Sequence, residues 1–503
     1  MAAHRYDVIV VGIGGMGSAA LYQLARRGHS VLGLEQYDVP HGMGSSHGET
    51  RIIRLAYYED PSYVHLLRRG YELWRDIQTR AGEQLLHLTG SIDAGPPSSW
   101  VFKGSLQSCL EHDLPHEVMT SAELSQRYPA WRLPQETLAV YQPEGGFLLP
   151  ERCIVSYVTA AQAAGAEVHA REAVVGWEPV RDGVRVVTTR ATYLADRLVV
   201  TAGAWNSHLL PFLDGLTVPE RQVLAWLQPR RPELFAPDLF PVFNLLVDEG
   251  RFYGFPVHGV PGFKLGRYHH LQEDVDPDTL DREPRLRDEL LLREFSSRYT
   301  PDGNGPTMRL ATCMFTNTPD KHFLIDVHPE FPQVSFASPC SGHGFKFASV
   351  VGEIMADLAD AGDTRHDIEL FRLHRFPVPL DAHPPTGRVQ MAPRRRDMPG
   401  LVRRRSDYDR GAPPRRARLD TNAGRDLDVP GRRTPSRRRV STSGRDRSQP
   451  QGGSGVLRDP RTDRTARRDA QPLWGRRDER SSGWPPLVSP VADEDDDAIR
   501  PFW

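Results

Sequence analysis

The stretch Asp7-Val-Ile-Val-Val-Gly12-Ile-Gly14-Gly-Met-Gly17, continued by a helical run and then Val31-Leu32-Gly33-Leu34-Glu35, decides how this 503-residue chain is read. An apolar strand enters a glycine turn, a helix follows, and a second short apolar strand ends on an acid. In a dinucleotide-binding turn Gly12 permits the tight bend, Gly14 lets the backbone approach a pyrophosphate, and Gly17 lets helix and strand pack closely. The helix N-terminus offers free N–H groups and a positive dipole end to the phosphates. Glu35 stands at the distance expected of the acid that grips a ribose hydroxyl. The competing reading is a glycine-rich turn without a ligand. The strand before, the helix after and the acid at its place favour a nucleotide, and the motif alone does not choose between NAD and FAD.

Outward from this unit, the helix carries Met16, Ala20 and Leu24 on one face and closes on Arg26-Arg27-Gly28, cations followed by a stop glycine. A polar loop runs from His41 to Arg51. A helix over 154–164 and strands beginning at Ala166 and Ala173 predict a second αβ unit, and 197–205 reads as a buried strand that ends in a small-residue turn. Between 218 and 268 the runs 223–227 and 251–255 predict a sheet in a second domain. Ser341-Gly-His-Gly-Phe-Lys346 is another glycine-rich turn. Phe347, Val350, Val351, Ile354, Met355 and Leu358 follow it at helical spacing.

Composition divides the chain in two. Residues 381–503 hold 28 Arg, no Lys and 18 Asp plus Glu, a net charge of +10, whereas the whole chain has a net of −2. Periodicity stops after Phe376, and 377–503 reads as a disordered, Arg-rich tail. Codons of a GC-rich gene read out of frame yield Arg, Pro, Gly, Ala and Asp with almost no Lys, so an out-of-frame extension is the preferred reading of the tail. The alternative is a nucleic-acid binder acting through its Arg runs. Interleaved aspartates and few aromatic residues argue against nucleic acid. Cys109, Cys153, Cys313 and Cys340 are too widely spaced for a metal motif or a disulfide framework. No apolar run is long enough to span a bilayer, and Met-Ala-Ala-His-Arg-Tyr leads directly into the first strand. The expectation is a cytoplasmic protein without signal peptide, anchor or metal.

Five stretches in order carry a resemblance: Gly12–Gly17, Gly44-Ser-Ser-His-Gly-Glu-Thr-Arg-Ile-Ile-Arg54, Thr201-Ala-Gly-Ala-Trp205, Ala311-Thr-Cys313-Met-Phe-Thr316 and Ser341-Gly-His-Gly-Phe-Lys-Phe347. Over about residues 5–376 the chain resembles the monomeric sarcosine oxidase and N-methyl-L-tryptophan oxidase family of flavoproteins. The resemblance implies an α/β fold with a Rossmann-like FAD-binding domain from 1–95, 145–215 and 311–376. It implies a β-rich substrate domain from 96–144 and 216–310. It implies FAD, attached covalently through Cys313. It implies that Arg54 and Lys346 hold a substrate carboxylate, and that Lys264 lies near the flavin and activates oxygen. Arg51 and His47 match residues against the flavin, Tyr253 and His269 match the substrate pocket, and Val174 matches a backbone contact to adenine. The implied cofactor set also takes in Ser45, Gly203, Gly342 and Gly344. In Arg267-Tyr-His269-His270 an extra residue leaves His269 and His270 both open as the pocket histidine.

The residues have their own chemistry beside this. A carboxylate in a desolvated pocket needs a cationic partner, and a guanidinium meets it bidentately. Lysine occurs only at 103, 264, 321 and 346 in a chain that otherwise prefers Arg, which adds some weight to Lys346. A fixed positive charge favours electron transfer to oxygen, because superoxide forms as an anion. Glycine N–H groups at the helix that follows Gly342 and Gly344 suit the negative charge of a reduced flavin. Ser46, Glu49 and Phe315 depart from the family pattern, where His, Asp and Tyr are common. The expected activity is oxidative demethylation of an N-methyl amino acid by oxygen, in a monomer. The alternative is a flavin oxidase or dehydrogenase acting on cyclic imino acids or other amino acids.

Overall fold

The computed structural model describes residues 5–338 and 341–377 and the backbone of Gly387 and Arg388. Cys340 lies outside the described residues, as does the segment read as a tail apart from Pro377 and Gly387–Arg388. Within that segment Gly387–Arg388 pairs antiparallel with Gly176 and Trp177.

The opening strand Arg5–Val11 pairs in parallel with Val31–Leu34 on one side and Thr192–Val200 on the other. Their buried aliphatic residues make this the middle of a nine-stranded sheet. Glu167–His169 extends it beyond Val31–Leu34. Thr192–Val200 pairs antiparallel with Gly183–Thr188 over its first half and parallel with Val334–Ser338 at its end. The helix Gly15–Arg26 leaves the sheet at the glycine turn and is buried almost all round, not on one face. It is enclosed by Pro150–Ala163 and Ala348–Ala361. Pro150 at the helix start places that element four residues ahead of the expected 154–164.

The second sheet has eight strands. Thr307–Asn317, Val218–Leu227, Phe263–Arg267, Gly250–Phe255 and Val242–Val247 are neighbours in antiparallel order. Ser91–Gly95 then joins in parallel, followed by Leu138–Gln142 and Glu117–Thr120. Phe235, Phe240, Phe243, Phe263 and Phe295 fill the core beneath it, closed by helix Leu286–Tyr299. Two expected domain boundaries cut across this sheet. Ser91–Gly95 belongs to it although the expected nucleotide domain takes in 1–95, and the expected boundary at 311 falls inside Thr307–Asn317. Among the described residues no helix is long and apolar enough to cross a membrane.

Candidate active site

One cavity runs from the glycine turn to the face of the second sheet. At its first end the glycines have separable tasks. Gly12 has φ +85°, and a Cβ there would sit 2.7 Å from the Thr201 carbonyl oxygen. A Cβ on Gly17 would come within 1.8 Å of the Gly12 carbonyl oxygen, so helix and strand close only on a glycine. A Cβ on Gly14 would meet no atom within 4 Å, because that position faces the cavity. Glu35 is buried and accepts hydrogen bonds from Ile13 N–H at 2.9 Å and Tyr37 N–H at 3.0 Å. The expected ribose acid thus also braces the turn. Val174, Ala202 and Gly203 line the same end.

The other end is lined by Ser45, Arg51, Tyr253, Tyr268, Cys313, Phe315, Gly342, Gly344 and Lys346, among others. Cys313 sits on the strand Thr307–Asn317, fixed in register opposite Gln222. Its sulfur is 3.7 Å from Arg51 Nη2, and Arg51 also donates to the Ser45 carbonyl at 2.7 Å and the Thr50 carbonyl at 2.8 Å. Lys264 is buried at 2% exposure beside this group. Its ammonium donates to the Gly48 carbonyl at 2.7 Å and to the Thr50 carbonyl and hydroxyl at 2.8 Å each. Burial, followed by the neighbouring Arg51 charge, pulls the Lys264 pKa well below that of a free lysine. His47 is buried with Nε2 unpartnered, and burial followed by the Arg51 charge pushes its pKa down to about 3, so its ring is neutral.

The two expected carboxylate partners are placed differently. Lys346 lines the cavity and donates to the His343 carbonyl at 2.8 Å. Burial, then the Arg54 charge, lowers its pKa to about 7. Arg54 does not line the cavity. Its guanidinium donates to Glu59 at 2.8 Å, lies 3.7 Å from Asp93 through Nε, and stacks over Tyr58 at 3.8 Å and Tyr57 at 4.6 Å. Burial opposes an ionised Glu59, but Arg54 and further cations hold it down to about 2.

The pocket histidine is corrected. The strand ends at Arg267, and His269 takes a left-handed backbone, φ +53°, that turns its Nδ1 onto Glu220 at 2.8 Å. His270 is fully buried against Asp288 at 3.0 Å. Neither histidine lines the cavity; Tyr268 does, with its ring 5.0 Å from Tyr253 and 5.6 Å from Phe315. Tyr268 carries no signal in the sequence that marks it for the cavity, although it directly precedes the two candidate histidines. The same holds for Glu59 and Glu151, acids whose sequence neighbourhoods carry no motif.

The residues present fit a dinucleotide with a reactive ring at its far end. The open face beside Gly14 and the buried acid Glu35, both on the cavity wall, leave room and bonding capacity for such a group. A nucleotide site continuous with a chamber that presents Arg51 and Lys346 fits a dinucleotide-dependent enzyme. The chain belongs to the FAD dependent oxidoreductase family, DAO, whose model matches residues 7–358. Over 377 residues it is 43% identical to monomeric sarcosine oxidase of Streptomyces avermitilis, covering 74% of this chain and 98% of the relative. Over 375 residues it is 36% identical to N-methyl-L-tryptophan oxidase of Yersinia pestis (strain Pestoides F), covering 74% and 99%. Among solved structures, the open form of NikD, described as an unusual amino acid oxidase essential for nikkomycin biosynthesis, has a TM-score of 0.64 at 25% identity. It covers 73% of this chain and 97% of that one. L-proline dehydrogenase from P. horikoshii shares the fold with a TM-score of 0.64 at 21% identity, over 75% and 98%. The chain is thus an FAD-dependent oxidoreductase that acts on CH–NH donors.

Proposed function

We propose that this protein oxidatively demethylates an N-methyl amino acid of the sarcosine or N-methyl-L-tryptophan type. The products are formaldehyde, the amino acid and hydrogen peroxide. The protein acts as a monomer with FAD joined covalently to Cys313. The observation that carries the reading is the single cavity that brings Cys313, Arg51, Tyr253 and Lys346 together at the far end from the glycine turn.

When bound, FAD supplies the two-electron acceptor and is restored by oxygen. Gly12, Gly14 and Glu35 would hold its nucleotide end, and Ser45, Arg51, His47, Gly342 and Gly344 would surround the reactive end. Lys346 takes the substrate carboxylate, and Arg54 joins it by exchanging Glu59 for that carboxylate. Tyr253, Tyr268 and Phe315 form an aromatic wall that excludes water and turns the amine toward the reacting centre. Lys264 keeps a cation where oxygen is reduced. The imine leaves and hydrolyses.

A peroxide-coupled screen of N-methyl and cyclic amino acids tests the reading. Peroxide and formaldehyde together from an N-methyl amino acid support it. Activity confined to cyclic imino acids would replace this substrate class with the alternative. Protein that stays colourless after expression with ample flavin, or gives peroxide with no secondary amino acid, would sink it.

A further inference from the structure

The segment Gly48–Thr50 is gripped by opposite charges from two sides. Glu151, in the first turn of helix Pro150–Ala163, accepts the Gly48 N–H at 2.6 Å and the Glu49 N–H at 3.1 Å. Lys264 takes the carbonyls of Gly48 and Thr50 and the Thr50 hydroxyl. One carboxylate therefore holds the donors of a turn whose acceptors hold one ammonium.

This turn needs holding. Gly48 and Glu49 are consecutively left-handed, with φ of +94° and +72°, and a non-glycine residue seldom adopts that conformation unaided. The Glu49 side chain is itself tied to Arg309 at 2.7 Å. Beyond the turn, Arg51 donates to the Thr50 carbonyl and reaches the Cys313 sulfur. A bland reading makes Glu151 an acid that merely favours its own helix N-terminus. Its oxygens, however, meet the amides of a different segment, which that role does not require.

We propose that Glu151 is a positioning residue for Lys264: it holds the Gly48–Thr50 turn so that three oxygens converge on the buried ammonium. It thereby governs the step with oxygen rather than the step with the amine. A buried ammonium stripped of acceptors gives up its proton, and with it the charge that assists oxygen. The inference rests on Lys264 being the oxygen-side cation.

The test compares Glu151→Ala, Glu151→Gln and Lys264→Met with the native holoenzyme. Amide hydrogen exchange of the peptide over 45–51 reads the turn directly and needs no turnover. Anaerobic reduction by the amine and reoxidation by oxygen are timed separately. In E151A, exchange at Gly48 and Glu49 is expected to rise about tenfold or more as local opening becomes easier. Reoxidation is expected to slow about tenfold, with reduction by the amine within about twofold of native. E151Q keeps an acceptor oxygen and falls between; it carries the test if E151A does not fold. Native exchange in E151A, or equal losses in both half-reactions, overturns the inference. Native reoxidation in K264M removes the underlying reading of Lys264 and the inference with it. Slow reoxidation in K264M beside native behaviour in E151A removes the inference alone.

Discussion

Arg54 and Glu59 form a closed ion pair, 2.8 Å between Nη2 and Oε2, with the guanidinium 1% exposed. Asp93 lies on the other side of the same guanidinium, so Arg54 neutralises two buried carboxylates at once. Replacing it with Met strands both, and R54M is expected to lose about 3–5 kcal/mol of stability, read as a lower melting temperature. Under the proposed exchange at Arg54, E59Q removes the competitor of the substrate carboxylate. Its KM for the amino acid is expected to fall several-fold, and a rise in KM would show that Glu59 does not compete.

Lys346 carries a pH signature. Burial holds its pKa at about 7 against an ordinary value of 10.5. The unfolded chain therefore binds more protons than the folded one between those limits, and stability rises with pH across that window. Below pH 7 the native protein bears the full penalty of a buried ammonium. K346M is expected to be more stable than native at pH 6 by a few kcal/mol, with the gap closing toward pH 10. Conversely, affinity for a carboxylate without an amine, such as propionate, should weaken as pH rises through 7. In K346M that titration should be flat, which calorimetry at several pH values checks.

The glycine turn separates folding from cofactor binding. G17A drives a Cβ into the Gly12 carbonyl and is expected to cost about 1–3 kcal/mol or abolish soluble expression. G14A meets no protein atom, so its melting temperature should stay near native while the flavin content of the purified protein drops. Full flavin content in G14A would place the phosphates elsewhere.

Cys313 has a direct chemical test. Acid-precipitated native protein should stay yellow, and precipitated C313A should release its colour to the supernatant. R51K loses the N–H that reaches the sulfur and should show a slower rise in the bound fraction when apoprotein is reconstituted. Release of colour from the native protein would remove the covalent link while leaving the site intact.

Tyr268 and His269 are adjacent in sequence, but only Tyr268 lines the cavity. Y268A opens the aromatic wall and is expected to raise KM at least about fivefold, whereas H269N should leave KM within about twofold. The reverse pattern would return the histidine to the pocket.

The first 35 residues were legible because their logic is local. Strand, turn, helix and acid follow one another, and the closest demand on Gly17 comes from Gly12, although Gly12 itself is crowded by the distant Thr201 and Ala202. The family motifs likewise led to Cys313, Arg51 and Lys346, all of which line the cavity. What could not be read depends on distant partners. Phe263–Leu265 is buried on both faces, so alternation does not tell which side of that strand faces the cavity. Beyond it a left-handed turn at His269, which no glycine announces, leaves Tyr268 on the cavity wall and both histidines off it. The partners of Arg54 are an acid five residues on and another in a different strand, and nothing in their local sequence pairs them.

The cavity draws its walls from residue 11 to residue 346, and this sets an order on its making. A chain growing from its N-terminus completes the Gly12 turn only when Thr201 has emerged to pack against it, since Thr201 Oγ1 donates to the Gly12 carbonyl at 2.8 Å. Cys313 and Lys346 emerge more than a hundred residues later. The helix behind that turn still waits for Ala348–Ala361 to enclose it, and the strand Thr192–Val200 for Val334–Ser338 to flank it, so the first motif to be translated is among the last to be sealed.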